Sequence, residues 1–298
     1  MPKRRLKKRV KIALYGLTMV GIGLLLGMRA QLIQSKQLTT EPIEQQVKPA
    51  TKLAQKPPSK AAIKRDLLAK WRRVIATDSD IPVSIAVYSK QYDLTVAYNN
   101  HKSTSHTTAS IVKVAMLSQV LHQHAQTKTT LTSSERATAT GAIENSNNAD
   151  ATALYHAGGS ATGLNQLFAA LDMQSSQAYA SGWVATTTTA SDQLKLLNQV
   201  FYETDYLTAN SKAYIKELMA NVEADQQWGV SAGTDTFELK NGWRLQNGAW
   251  IVNSIGHLGQ GNHSCTLAIL TDRHTSLKSG IKFVEKLAKA TGTSLNLK

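Results

Sequence analysis

The sequence predicts an α+β domain: one antiparallel sheet assembled from both ends of the chain and flanked by the terminal helices, plus a separate all-helical lobe. Three observations predict it. Alternating apolar residues cluster near residues 83–98 and again at 237–271. The stretch between them, 106–220, carries helical spacings. An amphipathic helical pattern lies outside each strand group. Strand groups separated by a helical block pack most simply as one sheet with a second lobe, and a cleft between the two is the natural place for a site.

Each element can be taken in order. Ile63, Leu67, Trp71 and Val74 recur at helical spacing within 61–77. Val83, Ile85 and Val87 alternate, then Leu94, Val96 and Tyr98, across a short polar turn, which predicts a β-hairpin. The helical block shows breaks near Gly141, Gly158-Gly159 and Ser181-Gly182. Strand patterns return at Phe237 to Trp243, Ala249 to Ile255 and Ser264 to Thr271, and Gln246-Asn247-Gly248 is a turn between the first two. Leu277, Ile281, Val284 and Ala288 then share one face of a closing helix. No fixed-period repeat is visible, which argues against a solenoid or propeller.

The N-terminus has a different composition. The first 11 residues hold seven Lys or Arg and no acid, and Ile12 to Met28 is an uncharged, mostly apolar run. That pattern predicts a basic cytoplasmic segment (1–11) and a transmembrane signal anchor (12–28), with the rest of the chain outside the membrane. Residues 29–60 are rich in Gln, Lys, Thr and Pro, including Pro42, Pro49, Pro57 and Pro58, and read as a disordered linker to a domain at 61–298. The net charge of +14 belongs to these segments, because residues 81–298 nearly balance. A nucleic-acid partner is therefore not expected. The membrane is an expected partner through the anchor.

No metal or cofactor is expected. His122 and His124 are two apart on a helical pattern, His257 and His263 flank a Gly-containing turn, and no HExxH motif occurs. The single cysteine, Cys265, sits in an apolar run and reads as core.

Three short segments carry chemistry. Ser110-Ile111-Val112-Lys113 opens a helical run, where an exposed hydroxyl meets unpaired N–H groups, and Lys113 shares its face one turn on. A partly buried amine near other cations loses basicity and can take the serine proton. Ser146-Asn147-Asn148 lies in the helical block. Lys240-Asn241-Gly242 lies on a strand, where Lys240 can bind a carboxylate, Gly242 permits close approach of substrate, and the Trp243 N–H can join that of Ser110 in an oxyanion hole. Ser279 to Lys282, Lys278-Ser279-Gly280 and Ser294-Leu295-Asn296 fit the same patterns, but they fall in the terminal helix.

As an ordered set, Ser110/Lys113, Ser146/Asn148 and Lys240/Gly242 resemble the signature of class A β-lactamases and penicillin-binding proteins. The likeness extends to Thr108–Val114, to the Thr-rich Gly182–Ala190, and to Trp250–Gly256. It implies a penicillin-recognising serine hydrolase. Ser110 would be the nucleophile, Lys113 its base, and Ser146 the proton relay to the leaving nitrogen. Asn148, Lys240, Gly242 and Trp243 would bind substrate, which would be a cell-wall peptide or β-lactam. The chain also departs from the family. Asn147 stands where an Asp is usual, Asn241 replaces a hydroxyl residue, and no acid lies between Asp172 and Asp192, where the family's deacylating Glu belongs. These departures predict poor β-lactam turnover, and they leave open a non-catalytic wall-binding or regulatory module that keeps the cleft. Trp228 and Trp243 are candidates for either the cleft or the core.

Overall fold

The computed structural model describes residues 58–101, 105–203 and 205–297. The basic segment, the expected anchor and nearly all of the expected linker lie outside them. No helix among the described residues is long and apolar enough to cross a membrane. Helix α1 (Lys60–Ile75) starts where Ser59 Oγ accepts the Ala62 N–H, so the domain begins just before the predicted boundary.

Strands β1 (Val83–Ser89) and β2 (Leu94–Asn99) form the predicted hairpin. A two-residue strand β3 (His106–Thr107) precedes the helical lobe, which contains α2 (Val112–Gln126), α3 (Ser133–Ile143), α4 (Asn148–Ala157) and α5 (Ser160–Ala170). β4 (Thr187–Thr188) pairs with β3 and leads into α6 (Ala190–Phe201) and α7 (Ala209–Ala220). The chain closes with β5 (Phe237–Gln246), β6 (Ala249–Gln260), β7 (His263–His274) and α8 (Leu277–Leu295). The sheet order is β2-β1-β7-β6-β5, all antiparallel, which joins both ends of the chain through the β1–β7 pair.

The sheet is a middle layer. On β7, Leu267 and Ile269 face the α1/α8 core with Leu67, Trp71, Val284 and Leu287. The alternate residues Ala268 and Leu270 face the helical core with Ile111, Leu117, Ile143 and Leu197. The last three strands outrun their predicted lengths. His257 and Gly259 interrupt the apolar alternation, yet backbone pairing with β5 and β7 continues through them, so neighbouring strands override local propensity.

One predicted break moves. Gly141 lies inside α3, which ends at Ile143. A Cβ at Gly141 would overlap the Asp150 carboxylate, so the glycine is there for packing. The break near Gly158-Gly159 holds: Gly159 takes φ 86° between α4 and α5. The three decoy motifs are structural. Ser279 forms a capping box with Ser276 at the start of α8, and Ser294 is buried near its end.

Trp71 is fully buried and donates its indole N–H to Thr291 Oγ1 at 2.9 Å, pinning α1 to α8. Trp71→Ala should cost ~3–5 kcal/mol of stability. Thermal or denaturant unfolding of the domain would read this, and a loss below ~1 kcal/mol would contradict the pinning.

Candidate active site

Ser110 occupies the 3₁₀ turn Ala109–Ile111 just ahead of α2, rather than the first turn of the α-helix itself. Ala109, immediately before it, has φ 48°, a conformation that costs a non-glycine residue ~1–3 kcal/mol. The surroundings hold it there. The Asn253 amide on β6 donates to the carbonyls of Thr107 (2.8 Å) and Thr108 (3.1 Å), and the Thr108 N–H donates to the Thr186 carbonyl (2.9 Å).

Gly242 on β5 presses against the same turn. A Cβ there would lie 2.7 Å from Thr108 O and 2.8 Å from both Ser110 N and Ile111 N. The sequence suggests that the glycine makes room for a substrate; the structure shows that it makes room for the serine's own backbone. β5 is an edge strand, bonded only to β6. The Thr236 carbonyl accepts the Gly259 N–H of β6, so by the two-residue alternation the Asn241 and Trp243 N–H groups face the open edge.

The two lysines converge on Ser146, which takes φ 57° just before α4. Lys240 Nζ donates to Ser146 Oγ at 3.0 Å, and Lys113 Nζ donates to the same oxygen at 3.3 Å. Lys113 also donates to the Ser146 carbonyl (2.7 Å), the Asn147 carbonyl (3.3 Å) and Asn148 Oδ1 (3.1 Å). It makes no hydrogen bond to Ser110 Oγ, against expectation, because the oxygens of residues 146–148 claim its protons. Both lysines have no exposed surface. Burial lowers Lys113 to about 8, partly opposed by the nearby Asp150 carboxylate. Burial, then the Lys113 charge, holds Lys240 well below the ordinary lysine range.

Of the seven predicted site residues, Ser146, Asn148, Lys113 and Lys240 form one hydrogen-bonded cluster, while Ser110, Gly242 and Trp243 meet along β5. Asn147 caps α4, accepting the N–H groups of Ala149 (2.8 Å) and Asp150 (3.1 Å). Asn241 is buried, and its amide ties down the carbonyls of Gln226 (2.7 Å) and Trp228 (3.0 Å). Trp228 and Trp243 are half-buried and pack edge to face at 5.6 Å. Three residues have no role in the sequence reading. Asn253 holds the nucleophile turn, Thr152 bonds a tryptophan, and that tryptophan, Trp183, lies over Lys113. A lone Trp beside a Gly in a polar, Thr-rich loop is the one signal that could have found it.

No family model matches the chain, and no curated protein matches it. Solved structures do. An acyl-enzyme complex of a PBP-A mutant with penicillin G has a TM-score of 0.66 at 14% identity, covering 78% of this chain and 97% of that one. The extended spectrum β-lactamase TLA-1 has a TM-score of 0.66 at 14% identity, covering 77% and 99%. A β-lactamase from Streptosporangium roseum has a TM-score of 0.62 at 17% identity, covering 80% and 100%. At these identities the likeness establishes the fold: the domain is β-lactamase/transpeptidase-like.

Gly242→Ala should destabilise the domain by ~1–3 kcal/mol, because the new methyl group overlaps backbone that cannot rotate away. Thermal denaturation checks this, and an unchanged midpoint would show that β5 and the serine turn are not in tight contact.

Proposed function

We propose that the chain is an extracytoplasmic serine acyl-transfer enzyme that attacks a cell-wall peptide, amide or β-lactam carbonyl with Ser110. The observation that carries this reading is the Ser146 hydroxyl shared by two buried lysines beside a serine turn held in a high-energy backbone conformation. Lys113, drawn below the ordinary lysine range, takes the Ser110 proton as the Oγ–C bond forms. The N–H groups of Ser110 and Trp243 stabilise the oxyanion. Ser146 gives its proton to the departing nitrogen and is re-protonated from Lys113 or Lys240. Asn148 and Lys240 bind the substrate amide and carboxylate. With no acid between Asp172 and Asp192, water attack on the acyl-enzyme lacks a carboxylate base from that loop, a deficit of ~10²–10⁴-fold. The basic segment 1–11 and apolar run 12–28 support a membrane anchor with the domain outside.

The test is intact-mass analysis of the 58–298 domain with a penicillin. A stable adduct on the wild type and none on Ser110→Ala is the expected result. Equal labelling of the two would remove Ser110 from the mechanism. No adduct with penicillin or with a broader serine-hydrolase probe would favour a non-catalytic cleft module.

The rate of acylation should depend on pH through Lys113. Only the neutral amine accepts a proton, and it becomes the majority form as pH rises through about 8. Acylation should therefore climb ~10-fold per unit from pH 6 toward 8 and level off above it. A flat profile would rule out Lys113 as the base.

A further inference from the structure

Trp183 is built into the cluster by three separate features. Its ring lies over Lys113 Nζ, with 5.1 Å between the amine and the ring centroid. Its indole N–H donates to Thr152 Oγ1 at 3.1 Å. Thr152 is one turn on from Asn148 along α4, so the helix that supplies a ligand to Lys113 also clamps the ring. Finally, Gly182 takes φ 120° and ψ 164°, a region open essentially to glycine alone, although nothing lies within 4 Å of where its Cβ would sit. The glycine is there for backbone direction, and that direction sends the next residue, Trp183, inward, where it is 7% exposed.

The segment that carries this ring is the acid-free stretch between Asp172 and Asp192. An indole ring has no lone pair that can take a proton from water, and its bulk keeps water away from the amine it covers. We propose that Trp183 is a positioning residue that seals the loop side of Lys113 against water, and that this seal is what keeps the acyl-enzyme on Ser110 long-lived. The proposal rests on the Ser110 acyl-transfer reading for its effect on the acyl-enzyme, but the seal itself acts on Lys113 whether or not Ser110 is acylated.

The groups that face Lys113 define how the seal can be read. Asp150 on α4 favours the ammonium, Lys240 on β5 donates to the same Ser146 hydroxyl, and the neutral oxygens of residues 146–148 accept the protons of Lys113. None of these changes when the ring is removed, whereas the exclusion of water does. Opening the site to water stabilises the charged amine and moves its titration upward. Loss of the ring's own attraction for the ammonium acts the other way and is the smaller effect beside desolvation.

The experiment compares wild type, Trp183→Ala and Thr152→Val by two readouts: NMR titration of the Lys113 amine in lysine-labelled domain, assigned with Lys113→Met, and the lifetime of the penicillin adduct by intact mass. Thr152→Val alters an exposed side chain and releases the ring without emptying its space, so it serves if Trp183→Ala does not fold. The expected result is an upward shift of the Lys113 midpoint in both variants, larger for Trp183→Ala, with the adduct lost at least ~10-fold faster in Trp183→Ala and by a smaller factor in Thr152→Val. An unshifted midpoint in both variants overturns the seal. A shifted midpoint with an unchanged adduct lifetime overturns its role in acyl-enzyme persistence. A shifted midpoint with no adduct on any protein, wild type included, from penicillin or from a broader serine-hydrolase probe upholds the seal on Lys113 and instead refutes the acyl-transfer reading.

Discussion

Two fully buried lysine amines meet at one hydroxyl, and the rest of the domain is arranged around that contact. Lys113 comes from α2 in the helical lobe, Lys240 from the edge strand β5, and Ser146 from the left-handed turn before α4. Burying one unpaired charge is costly, and burying two of the same sign at hydrogen-bond distance from a shared oxygen is worse. The direction of both lysine titrations expresses that cost: burial pushes each amine toward its neutral form, and the Lys113 charge adds to the push on Lys240. A fold that retains such an arrangement does so against its own stability, the pattern associated with sites where a group must change protonation state near neutral pH.

The scaffold responds with close backbone packing instead of flexible side chains. Gly242 lets β5 rest on the serine turn, Asn253 holds the two carbonyls before Ala109, and the β3–β4 pair anchors the segment leading into it. These contacts join the sheet, whose strands come from both ends of the chain, to the helical insertion. The site thus exists only when the β1–β7 pairing has closed the sheet, a contact between residues nearly two hundred positions apart. The site therefore depends on contacts between parts of the chain distant in sequence, and no local segment builds it alone.

Much of this was legible in the sequence, for identifiable reasons. Strand and helix periodicity revealed the element order, because Val83, Ile85 and Val87 on one strand, and Leu277, Ile281 and Val284 on one helix, each face a core. The cluster residues were legible because Ser-x-x-Lys, Ser-x-Asn and Lys-x-Gly fall in the right order on the right elements. Elements set by tertiary contact were hidden. β3 and β4 are two residues each and exist only because they pair. The full length of β6 survives His257 and Gly259 only because its neighbours continue. The place of Gly141 depends on a carboxylate nine residues away, and that of Trp183 on a lysine seventy residues back. No local pattern encodes either partner.

Two of the three departures from the motif pattern that the sequence resembles have a common physical character. Asn147 and Asn241 stand where an acid and a hydroxyl residue are usual, and both spend their side chains on neighbouring backbone, one capping α4 and the other tying down the carbonyls of Gln226 and Trp228. Asn241 does this imperfectly, since its Oδ1 is buried without a hydrogen-bond partner, at a cost of ~1–3 kcal/mol. At Asn241 the exchange gives up a hydroxyl that would face a ligand and gains a fixed wall beside Lys240. In the proposed mechanism, recognition of a carboxylate then falls on Lys240 with no hydroxyl beside it. An amine held toward its neutral form is a weak partner for an anion, but an arriving carboxylate favours the ammonium and reverses that bias. Binding and proton uptake at Lys240 become a single linked event, so a substrate carboxylate would generate the charge that retains it.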